Sequence, residues 1–165
     1  MNWQEAKTNS EQLVWLEAQT NSALQDERAV DLAYVAMIPD ALPRHNERWK
    51  NWDAALAVHH ARAKAGPEDR ILDAGACRDP KYPSPFLPAM QQLGYQRLYG
   101  VNLDEKGTQY DRGICYQHGD ITKLHFPKGH FGFVACLSVI EHGVDYRLFL
   151  AEMARILRSG GHLFV

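Results

Sequence analysis

The chain has 165 residues, of which 45% are hydrophobic, 23% charged and 10% aromatic, the make-up of one globular domain with little length left for a second. Eighteen Lys and Arg stand against 20 Asp and Glu, a formal charge of −2, so no overall field calls for nucleic acid or an anionic membrane as partner. The longest apolar run, Phe133 to Ile140, is far short of the ~20 residues that span a bilayer. The opening residues, MNWQEAKTNSEQ, lack the basic start and apolar core of a secretory signal. Three widely separated cysteines, Cys77, Cys115 and Cys136, read as reduced thiols of a cytoplasmic protein.

Up to residue 66 the chain predicts helices. The first begins at Thr8, where T-N-S-E has capping-box spacing before Leu13 and Leu16. A second apolar segment, LAYVAMI, is interrupted by Pro39 and Pro43. A longer helix from about Arg44 carries Trp49, Trp52, Leu56 and Ala63 at three- or four-residue intervals, and Gly66-Pro67 stops it. Trp49, Trp52 and Leu56 are expected to form one apolar stripe that packs partly on a sheet and partly over a cleft.

From Arg70 the pattern changes to short apolar runs ending in Gly, Asp or Asn that alternate with helical segments, as in βαβ units. ILDAG is the first strand. Ser84 and Pro85 then start a helix as N-cap and N1, with Phe86, Met90 and Leu93 on one face and Gly94 at its end. RLYGVNL, ICYQH and FVACLSVI are the next strands. Tyr146 to Leu157 is an amphipathic helix stopped at Ser159-Gly160-Gly161, and HLFV is a fifth strand. The dozen residues that include KGTQYDRG are too few for a crossover helix and predict a short or irregular connection.

In an open parallel sheet, ligands bind at the carboxyl ends of the strands where the strand order reverses. Those junctions are polar here: Leu72-Asp73-Ala74-Gly75-Ala76-Cys77-Arg78-Asp79, then Gly100-Val101-Asn102-Leu103-Asp104, Gly119-Asp120-Ile121, and Ser138-Val139-Ile140-Glu141-His142. Neither G-x-G-x-x-G nor a P-loop is present, which argues against a nicotinamide or nucleoside triphosphate site. The histidines have no ligand spacing, His59 and His60 point to different helix faces, and no C-x-x-C pair exists, so no metal is expected. Arg44, Arg48 and Lys50 around the tryptophans read as a solvated helix face rather than a nucleic-acid surface.

In order and spacing, these junctions together with Leu150-Ala151-Glu152-Met153-Ala154-Arg155-Ile156-Leu157-Arg158-Ser159-Gly160-Gly161 resemble the class I S-adenosylmethionine-dependent methyltransferases. The resemblance covers about residues 68 to 165. It implies a Rossmann-like, doubly wound, mostly parallel α/β sheet over residues 67–165, preceded by a helical extension or lid at residues 1–66. Family members continue past the fifth strand with a helix and two strands, so the family fold reads as incomplete at Val165.

S-adenosylmethionine is the implied cofactor. The resemblance implies that Asp73, Gly75, Ala76 and Cys77 border its methionine part, although Cys77 and Asp79 stand where glycines are common and Lys81-Tyr82-Pro83 lengthens the loop. Asn102 stands where the family commonly has an acid on the ribose hydroxyls. Asp104, two residues on, is the alternative ribose partner, with Leu103 between them. An amide accepts one bond where a carboxylate accepts two, so Asn102→Asp is expected to tighten binding by about 1 kcal/mol. Asp120 matches the residue that accepts from the adenine amino group, with the Ile121 backbone beside it. Ser138 and the loop to His142 border the reacting methyl group, where Glu141 and His142 are candidate bases without an identified partner. Gly132, where an aspartate often follows the preceding Phe, reads as an edge-of-strand change.

The implied activity is methyl transfer by direct displacement to a small-molecule acceptor that the sequence does not identify. The competing readings are a non-catalytic cofactor-binding module or partner subunit, and another Rossmann-like enzyme such as an oxidoreductase.

Overall fold

The computed structural model describes residues 38, 42, 44–76, 78 and 84–165. The expected helix from Thr8 and most of the LAYVAMI segment lie outside these residues, as do Cys77, Asp79 and Lys81-Tyr82-Pro83. In chain order the described elements are α1 (Arg48–Lys64), β1 (Ile71–Ala74), α2 (Phe86–Gln92), β2 (Leu98–Asn102), β3 (Thr108–Asp111), β4 (Ile114–His118), β5 (Phe131–Ala135), a 3₁₀ turn (Ile140–His142), α3 (Tyr146–Ile156) and β6 (Leu157–Phe164).

Six strands form one sheet in the order β3-β4-β2-β1-β5-β6. All neighbours are parallel except β3 and β4. The chain builds outward from β1 in one direction through β2 and β4, then returns to β1's other side with β5 and β6, which puts the reversal of strand order beside β1. β1 is buried on both faces, as a continuous apolar run requires. Ile71 faces the layer of α1 and α2 together with Leu98, Ile114 and Phe133, while Leu72 and Ala74 face Phe149, Met153 and Ile156 of α3.

Helix α1 belongs to the first of these layers. Trp52, Ala55, Val58 and Ala61 are buried in the same cluster as the sheet residues, and the alanines let the helix approach closely. The expected tryptophan stripe is corrected: Trp52 is 3% exposed, but Trp49 is 49% exposed and turns away. The helix starts at Arg48 rather than Arg44, because residues 45–51 form a separate lock. There the His45 N–H donates to Asn51 Oδ1 at 2.8 Å and Asn51 Nδ2 donates back to the His45 carbonyl at 3.0 Å.

Three further expectations change. The segment after β2 is not an irregular connection: Thr108–Asp111 is an antiparallel edge strand that turns through Arg112-Gly113 into β4. Ser84 is not the N-cap of α2, which is Pro85; its hydroxyl donates to Asp73 Oδ2 at 2.8 Å instead. The stop at Ser159-Gly160-Gly161 lies within β6 as an irregularity, since β5 pairs Phe131 with Leu157 and then Phe133 with His162.

Gly132 is also more than an edge change. A Cβ there would run into the Asp69 carboxylate, which is held in place by a two-pronged bond from Arg158 Nε and Nη2, both at 2.9 Å. The missing side chain is what lets the ion pair lie against β5.

Candidate functional site

A cavity of about 780 Å³ opens at the carboxyl ends of the strands, beside the reversal point. The ends of four strands and the starts of three helices converge on it, as the crevice rule for open α/β sheets requires. Its floor is the end of β1. Asp73 is 2% exposed and reaches the cavity wall, with Ser84 Oγ as the one hydrogen-bond partner of its carboxylate among the described residues. Burial pushes its carboxyl up to about 6, and the Ser84 hydroxyl pulls against that shift.

Gly75 follows at φ +114°, a conformation only glycine adopts readily, and a Cβ there would collide with Val139. Its amide donates to the Val101 carbonyl at 2.7 Å, so the first two junctions are fastened to each other. Asn102 completes that fastening: its Nδ2 donates to the Gly75 carbonyl at 3.2 Å and its Oδ1 accepts from the Asp104 amide at 3.0 Å.

Asp120 lies across the cavity after β4. One carboxylate oxygen accepts from both the amide and the hydroxyl of Thr122, at 2.8 and 2.7 Å, which holds the carboxyl below the usual range and keeps it ionised. The second oxygen has no partner among the described residues. Leu103 and Ile121 add apolar surface on either side. On the fourth junction Ser138 has φ +54°, an uncommon backbone state for a residue with a side chain. The chain then passes through the 3₁₀ turn to α3, where Asp145 caps the helix by accepting from the Arg147 and Leu148 amides.

Of the residues singled out from the sequence, Asp73, Gly75, Asn102, Leu103, Asp120, Ile121, Ser138 and His142 line this one cavity. Ala76, Asp104 and Glu141 do not, and Cys77 lies outside the described residues. Ala76 is buried behind the loop, and Asp104 is exposed with its amide turned to Asn102.

The structure adds residues that sequence reasoning missed. His45, Lys50, Asp53 and Ala54, at and before the start of α1, form a wall of the cavity, which corrects the reading of Lys50 as part of a solvated face. Asp53 is half-buried; burial first and the Glu141 charge second push its carboxyl up, while Lys50 draws it down. His45 Nδ1 accepts from the Glu47 amide at 2.9 Å, and burial pushes this histidine down. No group of three or more His, Cys, Asp or Glu among the described residues could hold a metal ion.

A doubly wound sheet with a large cavity at the switch point defines a Rossmann-like ligand-binding domain. Residues 83–165 match the family model described as a methyltransferase domain, and the chain belongs to that family. It is 32% identical over 80 residues to a demethylmenaquinone methyltransferase of Deinococcus radiodurans, an alignment that covers 48% of this chain and 30% of the relative. It is 31% identical over 74 residues to a probable S-adenosylmethionine-dependent methyltransferase of Mycolicibacterium smegmatis, covering 42% and 29%. Among solved structures, geranyl diphosphate C-methyltransferase from Streptomyces coelicolor A3(2) superposes with a TM-score of 0.52 at 22% identity, over 78% of this chain and 52% of that one. The chain thus spans about a third of the curated relatives' length, and the structural likeness speaks to the fold.

Proposed function

We propose that this chain is the S-adenosylmethionine-binding part of a methyltransferase that acts on a small-molecule acceptor. The observation that supports this most is the convergence of Asp73, Gly75, Asn102 and Asp120 on one cavity at the switch point. When bound, the cofactor supplies a methyl group already activated on a sulfonium. The protein's task is then to bind, orient and exclude water, and alignment alone is worth about 7–11 kcal/mol.

The donor set fits such a ligand. The loop at Gly75 has no side chain that would block close approach of a methionine moiety. The unpartnered oxygen of Asp120 suits an exocyclic amino group, with Leu103 and Ile121 as apolar surface for the ring it belongs to. Asn102 keeps one N–H and one lone pair for a ribose after its two internal bonds. Asp73 offers negative charge to a cationic ligand.

The start of helix α1, with Lys50, Asp53 and Ala54, serves as part of the cover of this site, while the rest of the helix packs on the sheet. A cytoplasmic location accords with the free, buried Cys115 and Cys136, and no helix among the described residues is long and apolar enough to cross a membrane.

Calorimetric titration with S-adenosylmethionine, its demethylated product and a nicotinamide dinucleotide tests this reading. Binding of the first two and not the third is expected. Preference for the dinucleotide points to an oxidoreductase, and binding without turnover on any acceptor class points to a non-catalytic module.

A further inference from the structure

The wing of the cavity walled by α1 holds a charged group without a counter-charge bonded to it. Asp53 makes no hydrogen bond or ion pair among the described residues. Lys50, one turn earlier on the same helix, lies 3.7 Å from Glu47 instead. His45 does not supply the missing cation either, since burial and Lys50 both disfavour its charged form. The charge of Glu141, which does not line the cavity, raises the Asp53 carboxyl further, and Ala54, Pro85, Leu137 and Leu148 give the lining its apolar part beside the polar Ser84, Ser138, His142 and Asp145. Apolar surface with a few oriented polar groups is the usual make-up of a small-molecule subsite.

A half-buried carboxylate in such a setting is best satisfied by a ligand that brings both positive charge and donors. An anionic ligand would be repelled, and an alcohol would leave the charge uncompensated.

We propose that this wing is a subsite for a small primary or secondary amine, whose ammonium group is held by the Asp53 carboxylate while its hydrocarbon part lies on the apolar walls. The proposal rests on the reading of the neighbouring wing as the cofactor site, because the amine is then the methyl acceptor. Asp53 also receives the proton that the nitrogen must give up to free its lone pair: the N–H bond breaks and an O–H bond forms on the carboxylate.

Benzylammonium chloride and benzyl alcohol, equal in shape and unlike in charge, are suitable probes. Each is titrated into the full chain with and without saturating S-adenosylhomocysteine, and binding is followed by NMR line shifts. The amine is expected to bind about tenfold or more tightly than the alcohol, the charge-assisted bond being the difference. Asp53→Asn should remove that preference, while Asp53→Glu should retain it; the amine-to-alcohol ratio in the unmutated chain needs no variant to fold. Equal binding of the two probes, an amine affinity unmoved by Asp53→Asn, or no amine binding at tens of millimolar would each overturn the proposal. If the amine preference appears and S-adenosylhomocysteine fails to bind, the amine subsite stands and the cofactor reading falls.

Discussion

Outside the cavity, Asp69 before β1 and Glu152 on α3 each lie against an arginine, whereas Asp73 and Asp53 face the cavity with no cation bonded to them. Arg158 grips Asp69 with two bonds, and Arg155 reaches Glu152 at 2.6 and 2.7 Å while donating to the Leu124 and Phe126 carbonyls. The arginine bonds hold both of these carboxyls below their usual range, while burial pushes Asp73 and Asp53 above it. The first pair closes the structure. The second is left for something the chain does not itself provide, and that contrast marks the cavity as the binding region.

The largest effect expected from this contrast is at Asp73. Its folded-state pKa, about 6, lies above the ordinary 3.8, so the folded chain holds this proton more tightly than the unfolded chain. Stability therefore falls as pH rises from about 4 through 6, by about 3 kcal/mol in all. Asp73→Asn keeps an acceptor for Ser84 and removes the charge. In urea unfolding, the variant should match the parent near pH 4 and exceed it by up to about that amount near pH 7.5. Parallel curves for the two proteins across this range would break the comparison.

At Glu152 the sign is opposite. Glu152→Ala strands the Leu124 amide, which donates to Glu152 at 2.6 Å, and releases Arg155 from the loop it braces. A cost of about 2 kcal/mol is expected in the same unfolding experiment, the order of a lost bond with a buried donor left unpaired. Ligand affinity should be largely unaffected, because neither Leu124 nor Glu152 lines the cavity.

The smallest effect is at Asn102, where the structure reverses an expectation. A carboxylate there was expected to hold a ribose better, but the amide Nδ2 donates to the Gly75 carbonyl. An aspartate would set oxygen against oxygen at the junction that shapes the site. Asn102→Asp is therefore expected to weaken S-adenosylhomocysteine by about 1 kcal/mol, near fivefold in dissociation constant, as read by calorimetry. Tighter binding would mean that the ribose contact outweighs the lost internal bond.

What the sequence made legible follows from how each signal is encoded. The parallel strands and their polar junctions are local: apolar runs broken by Asp, Gly or Asn state both the strand and its carboxyl end. Strand β3 was not legible because all four of its residues are exposed at the sheet edge, so no alternation of apolar and polar residues marks it. Ser84 was read as a cap because its local context allows one, and only the fold brings Asp73, eleven residues earlier, within reach of its hydroxyl. The meaning of Gly132 depends on Asp69 and Arg158, which arrive from distant parts of the chain. Asp53 carries no local signal for a related reason: it stands on a helix whose pattern reports packing, and most of the cavity it faces is formed by other elements.

The central claim is that the free oxygen of Asp120 and the junctions opposite it hold S-adenosylmethionine or its product. Calorimetric titration of S-adenosylhomocysteine into the chain and into Asp120→Ala tests this most directly. Saturable one-to-one binding to the parent is expected, weakened about tenfold or more in the variant by loss of a charge-assisted bond. No heat at millimolar ligand, or the same affinity in both proteins, would contradict it.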